Sequence, residues 1–118
     1  MREQLSDFNQ ITEERLQEQL DQFLKDFKDG LLEEHGWPTT TSAYRVSKIA
    51  LNAYTRILAK KFPNFCVNCV HPGYVKTDMN PQGNINAEEG ARGPVMLALL
   101  PEGGPSGLDF DQMEVSDF

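Results

Sequence analysis

The amino-acid sequence predicts an α/β protein, and only half of such a domain. Three observations lead there. Two long segments repeat apolar residues at helical spacing. A short, nearly continuous apolar run, Phe65-Cys66-Val67-Asn68-Cys69-Val70, precedes Pro72-Gly73 and suits a strand covered on both faces, as in a parallel sheet. One further strand is legible, and two short strands bury too little to stand as a sheet. The helix ahead of the first strand also has no strand feeding it, so the chain is expected to be incomplete.

The first helix begins at Thr12, a good N-cap, with Glu13 and Glu14 in the first turn, where the helix dipole favours negative charge. Ile11 before the cap and Leu16 at the fourth helical position suit a hydrophobic staple. Leu16, Leu20, Phe23, Leu24, Phe27 and Leu31 form one apolar stripe, weakened at Gly30 and ended by Gly36-Trp37-Pro38. Such a stripe is expected to pack on its own domain, and its acidic polar face disfavours lipid.

The second helix is predicted from Ser42 to Lys61. Thr41 or Ser42 would cap it, and Val46, Ala50, Ala53, Tyr54, Ile57 and Leu58 mark its buried side. Lys60 and Lys61 suit its C-terminal end, and Pro63 stops it. After the Phe65–Val70 strand and a polar loop from Met79 to Ile85, Asn86 and Glu89 form a capping-box variant. A short helix follows, disturbed at Gly93-Pro94 and stopped at Pro101. Leu108-Asp109-Phe110 is a candidate last strand.

The chain has 118 residues, 39% of them hydrophobic and 25% charged, with a net charge of −7. That composition supports a packed core. The acidic balance argues against nucleic acid or anionic membrane as partner. The longest apolar run, Val95–Leu100, is too short to span a bilayer. Met1-Arg2-Glu3-Gln4 leads into charged sequence with no apolar stretch of the signal-peptide kind. Two cysteines cannot make a disulfide scaffold, so a reducing, cytoplasmic setting is expected. Charge is uneven: residues 1–35 carry a net −6, residues 36–80 a net +5 and residues 81–118 a net −6. An anionic ligand would prefer the middle.

That basic middle holds the chemistry. Tyr44 and Lys48 stand four residues apart, on one helix face. A free phenol has a pKa near 10, and a neighbouring cation favours its ionised form, toward the range useful for acid–base work. With three Tyr and six Lys in the chain the pair alone is weak evidence. A second motif, Asn68-Cys69-Val70-His71-Pro72-Gly73-Tyr74-Val75-Lys76-Thr77-Asp78, falls where the buried strand ends. In open α/β sheets ligands bind beyond the carboxyl ends of strands. Pro72 and Gly73 turn the chain sharply there and let backbone approach a flat ring, while Thr77 offers a hydroxyl and an amide.

Together, Ala43-Tyr44-x-x-Ser47-Lys48 and the Asn-x-Val-x-Pro-Gly-x-Val-x-Thr-Asp motif one helix and one strand later resemble the C-terminal half of a short-chain dehydrogenase/reductase. The acidic helix, the phrase Ser42-Ala43-Tyr44 and the ending Gly104-Pro105-Ser106-Gly107-Leu108 resemble its plant carbonyl-reductase-like branch, which includes neomenthol dehydrogenases and salutaridine reductases. The resemblance covers essentially the whole chain. It implies the C-terminal half of a Rossmann-like doubly wound parallel sheet (residues 42–118), preceded by an acidic helical insertion (residues 1–41). It also implies NADPH-dependent reduction of a small apolar ketone or aldehyde, by a protein that is monomeric at full length.

Residue by residue, the resemblance makes Tyr44 the proton donor to the carbonyl oxygen. Lys48 would lower its pKa and bond the nicotinamide ribose. Pro72 and Gly73 would border the nicotinamide, Thr77 would contact its carboxamide, and Val75 counts among the cofactor-binding residues. Ser47 and Ser42 are not in the place of the catalytic serine. No Gly-x-x-x-Gly-x-Gly pattern occurs, so nothing in this sequence can cradle a pyrophosphate. Two other readings stand beside this one: a catalytically inactive truncated product, and an interaction module working through the acidic helix. No metal site is expected, because Cys66 and Cys69, three apart on a strand, would point to opposite faces. His35 beside Gly36 reads as a loop histidine.

Overall fold

A computed structural model of the chain describes residues 10–116; the Met1–Gln4 start lies outside them. The described residues form two compact units, one ending at Ile57 and the other beginning at Leu58.

In the first unit, helix α1 spans Glu13–Asp29. The Thr12 hydroxyl accepts from the Arg15 N–H at 3.3 Å, and Gly30, at φ 74, closes the helix with its own N–H on the Asp26 carbonyl. The helix thus ends at the glycine, whose left-handed backbone also brings the Leu31 N–H onto the Asp26 carbonyl at 2.9 Å. Helix α2 spans Ser42–Lys61, as its periodicity predicts. Neither expected cap operates as drawn. Ser42 is already helical, and the Thr41 hydroxyl donates to the Thr40 carbonyl at 2.8 Å.

Two small apolar clusters hold α1 to α2. Leu16 packs with Ala50, Ala53 and Ile57, and Ile11 leans on that cluster as the staple predicts. Phe23 packs with Trp37 and Val46, flanked by Leu20 and Leu32. The stripe is narrower than its spacing suggests: Leu24 and Phe27 are 54% and 53% exposed. A carboxylate takes part of that face instead. Asp26 is 1% exposed and accepts from the Trp37 indole N–H at 2.7 Å and from the Gln22 amide at 2.7 Å. His35 Nδ1 lies 2.9 Å from it.

In the second unit, strand β1 spans Cys69–His71, helix α3 Ala87–Ala98, strand β2 Asp109–Asp111 and strand β3 Glu114–Ser116. Sheet order is β1-β2-β3. β1 and β2 run parallel, with Val70 opposite Phe110, and α3 makes the crossover between them. β3 returns antiparallel after a tight turn in which Gln112 has φ 58. The sequence reading misses β3, because Glu114-Val115-Ser116 is short and polar; its pairing with β2 makes it a strand. β1 is also shorter than the predicted run: Phe65 is 67% exposed, and Cys66 to Asn68 are tied by other bonds. The Asn68 side chain donates to the Pro105 carbonyl at 2.9 Å and accepts from the Leu108 N–H at 3.1 Å.

The Asn86 cap forms as expected, its side chain accepting from the Glu89 N–H at 2.8 Å. Pro94 is accommodated inside α3. Gly90 and Gly93 are buried, and a β-carbon on them would strike Val75 and the Gln112 carbonyl respectively. Their lack of a side chain lets α3 approach the loop that follows β1 and the β2–β3 turn.

Candidate active site

α2 turns one face toward α1 through Val46, Ala50, Ala53 and Ile57. At 3.6 residues per turn, that leaves Tyr44 and Lys48 on the opposite face, one turn apart. Tyr44 is 66% exposed, and the Lys48 ammonium lies 5.5 Å from the centroid of its ring, a cation–π contact. Ser47 does not share in this pair. Its hydroxyl donates to the Tyr44 carbonyl at 2.7 Å, which ties it to the helix backbone.

The second group of predicted residues follows β1. Gly73 has φ 88, and a β-carbon on it would run into Ile85, so the position needs glycine on both conformational and steric grounds. Its N–H donates to His71 Nδ1 at 3.1 Å, and the Val75 N–H reaches back to the Gly73 carbonyl at 3.0 Å. Val75 pairs with Ile85 in a single parallel bridge. Thr77 and Asn80 close the next turn: each backbone N–H meets the other's carbonyl, at 3.2 and 3.0 Å, and the Thr77 hydroxyl accepts from the Asn80 N–H at 3.1 Å. The Thr77 amide is therefore engaged within the loop. Its hydroxyl, as acceptor there, keeps its own O–H for another partner. Pro72 is exposed.

Tyr44 and Lys48 belong to the first unit; Pro72, Gly73, Val75 and Thr77 belong to the second. Cys66 donates to the Pro101 carbonyl at 3.7 Å, and Cys69 donates to the Asp109 carboxylate. Among the described residues no three His, Cys, Asp or Glu side chains cluster as metal ligands, and no helix is long and apolar enough to cross a membrane. An open cavity of about 650 Å³ lies between α3 and the β2–β3 hairpin, lined by residues including Glu89, Arg92 and Asp111. None of the predicted site residues lines it. Periodicity could not have found it, because it depends on where the unpredicted β3 turns back.

A parallel β-α-β unit with a Pro-Gly turn beyond its first strand, preceded by a helix that exposes a Tyr–Lys pair, defines an α/β protein. Comparison with known proteins agrees. The family profile described as Enoyl-(Acyl carrier protein) reductase matches residues 30–95. Short-chain dehydrogenase/reductase 1 of Saponaria officinalis is 54% identical over 119 residues, covering 100% of this chain and 39% of that protein. (+)-Neomenthol dehydrogenase of Arabidopsis thaliana is 53% identical over 116 residues, covering 97% of this chain and 39% of that one. The solved structure of salutaridine reductase from Papaver somniferum superposes with a TM-score of 0.82 at 54% identity, over 91% of this chain and 36% of that chain. The chain belongs to the short-chain dehydrogenase/reductase family, and its fold is part of that family's Rossmann-like sheet. It spans about two fifths of the length of these relatives.

Proposed function

We propose that this chain carries the proton-transfer side of an NADPH-dependent carbonyl reductase, equally an alcohol dehydrogenase in reverse, acting on small apolar ketones or aldehydes. The observation that carries the reading is the exposed Tyr44 with the Lys48 ammonium against its ring. A phenol exposed on a helix surface can give its proton to a carbonyl oxygen. Lys48 also has donors to spare for a ribose hydroxyl.

The cofactor fits at one end. The Pro72–Gly73 turn near Val75, with exposed Thr77 following, would border a nicotinamide and its carboxamide. When bound, NADPH supplies the hydride. For the pyrophosphate the sequence has no Gly-rich turn. Residues 1–41 read as an acidic insertion ahead of the domain proper. Part of its apolar face, Leu16 and Phe23, packs on α2, which favours a monomer at the relatives' length.

The test is a chimera in which these 118 residues replace the matching part of the Saponaria officinalis relative. Tyr44→Phe should lower kcat by about two to four decades while leaving NADPH affinity nearly intact. Lys48→Ala should reduce turnover and weaken NADPH together. A Tyr44→Phe chimera that keeps most of its activity would remove Tyr44 from the proposed role.

A further inference from the structure

We propose that Asp26 is a positioning residue for the start of α2, acting through Trp37 to hold the turn that carries Tyr44 and Lys48. The Trp37 ring is buried edge-on to Phe23, with centroids 5.2 Å apart, in one cluster with Val46. Val46 stands two residues after Tyr44. Trp37 and Val46 therefore pin the two ends of a short passage, Pro38 to Arg45, that enters the helix.

That passage is strained. Thr41 has φ 48, a left-handed conformation that a β-branched residue adopts only when its surroundings enforce it. Its hydroxyl goes to its neighbour's carbonyl, while its own carbonyl accepts the Arg45 N–H at 2.9 Å, the first bond of the turn that bears Tyr44. The strained residue and the helix start are thus one unit.

A buried indole N–H needs a partner, and Asp26 supplies it at 2.7 Å. Gln22 at 2.7 Å and His35 at 2.9 Å occupy the rest of the carboxylate. This polar cluster fixes the indole in the plane of the ring, while Phe23 and Val46 fix it by packing. An apolar residue at position 26 could fill the space but could not set the register of the ring. With the indole unanchored, the strain at Thr41 can relax, and the first turn of α2 opens without the rest of the helix.

The functional meaning rests on the reading of Tyr44 above; the geometry does not. Amide hydrogen exchange on the 118-residue chain tests it. Asp26→Asn, which keeps the shape, and Trp37→Phe, which keeps the ring and loses the N–H, should speed exchange at Arg45–Lys48 by about tenfold or more, with little change at Ala53–Ile57. Leu16→Ala, in the other cluster, should do the reverse. Adding Thr41→Asn, whose side chain tolerates the left-handed region, should restore part of the protection lost in Asp26→Asn and none of that lost in Leu16→Ala. Uniform acceleration along α2 in both Asp26→Asn and Trp37→Phe, or no acceleration at Arg45–Lys48, overturns the proposal. If exchange localises as expected while Tyr44→Phe leaves the chimera active, the role of Tyr44 falls and this inference stands.

Discussion

Asp26 is a carboxylate at 1% exposure in a chain whose other acids are mostly solvated. Burial pushes its pKa up, but hydrogen bonds from His35, Trp37 and Gln22, with the charge of His35, outweigh that and hold it below the usual carboxylate range. The linkage has a definite sign. A group depressed on folding contributes stability that is fully present above its ordinary value of 3.8 and is lost as pH falls through the lower folded value. The stability difference between the wild-type chain and Asp26→Asn should therefore still be present at about pH 5 and shrink only in stronger acid. Urea melts followed by Trp37 fluorescence, the chain's one tryptophan, would read this directly. A difference that vanishes by pH 5 would show that the carboxylate is not held as the geometry implies. Nothing in residue type marks Asp26 in advance: it stands in an acidic segment among nine other acids, all of them equally suited to water by composition.

At the scale of elements, α1 stays in place through few contacts, and they are unequal. Leu16 is buried among Ala50, Ala53 and Ile57, whereas Leu24, on the same predicted stripe, is 54% exposed. Leu16→Ala removes a core side chain from a small cluster and should cost about 2–5 kcal/mol. Leu24→Ala removes a mostly hydrated one and should stay within about 0.5 kcal/mol. Thermal melts of the two variants separate the outcomes; equal losses would mean that the whole stripe is packed. The contrast has a physical origin. A helix of this length shows a partner helix only a narrow line of residues, so the edge positions of an apolar stripe stay wet unless a third element covers them. In the second unit, Gly90 and Gly93 play the complementary part: α3 approaches Val75 and the hairpin turn because those two positions carry no side chain.

At the scale of the whole molecule, the proposed function gives Tyr44, Lys48 and the Pro72–Thr77 loop contacts to the nicotinamide end of a dinucleotide alone, since no Gly-rich turn occurs in this sequence. The remaining contacts must offset roughly 4 kcal/mol or more of lost rigid-body freedom. The 118-residue chain alone should therefore show no saturable NADPH binding in the micromolar range and no turnover on a broad ketone panel. A fluorescence titration of the purified chain with NADPH decides the point; micromolar affinity with turnover would mean that the chain builds a phosphate site by another route.

The sequence by itself determined what repeats or what is chemically singular. The span of α2, the Thr12 and Asn86 caps, the strand around Val70 and the strand at Asp109–Phe110 follow from periodicity and from side chains that bond their own backbone. The pairing of Tyr44 with Lys48, and the Pro72-Gly73 turn beyond a strand, follow from local spacing as well. Tertiary structure alone decided the rest. It made β3 a strand through its pairing with β2, and left Phe65 outside the sheet because Asn68 is held by the Pro105–Leu108 loop. It also set Thr41 in a left-handed conformation and buried Asp26 beneath Trp37. Those outcomes depend on partners distant in sequence or on where a turn aims the chain, and local spacing carries no record of either.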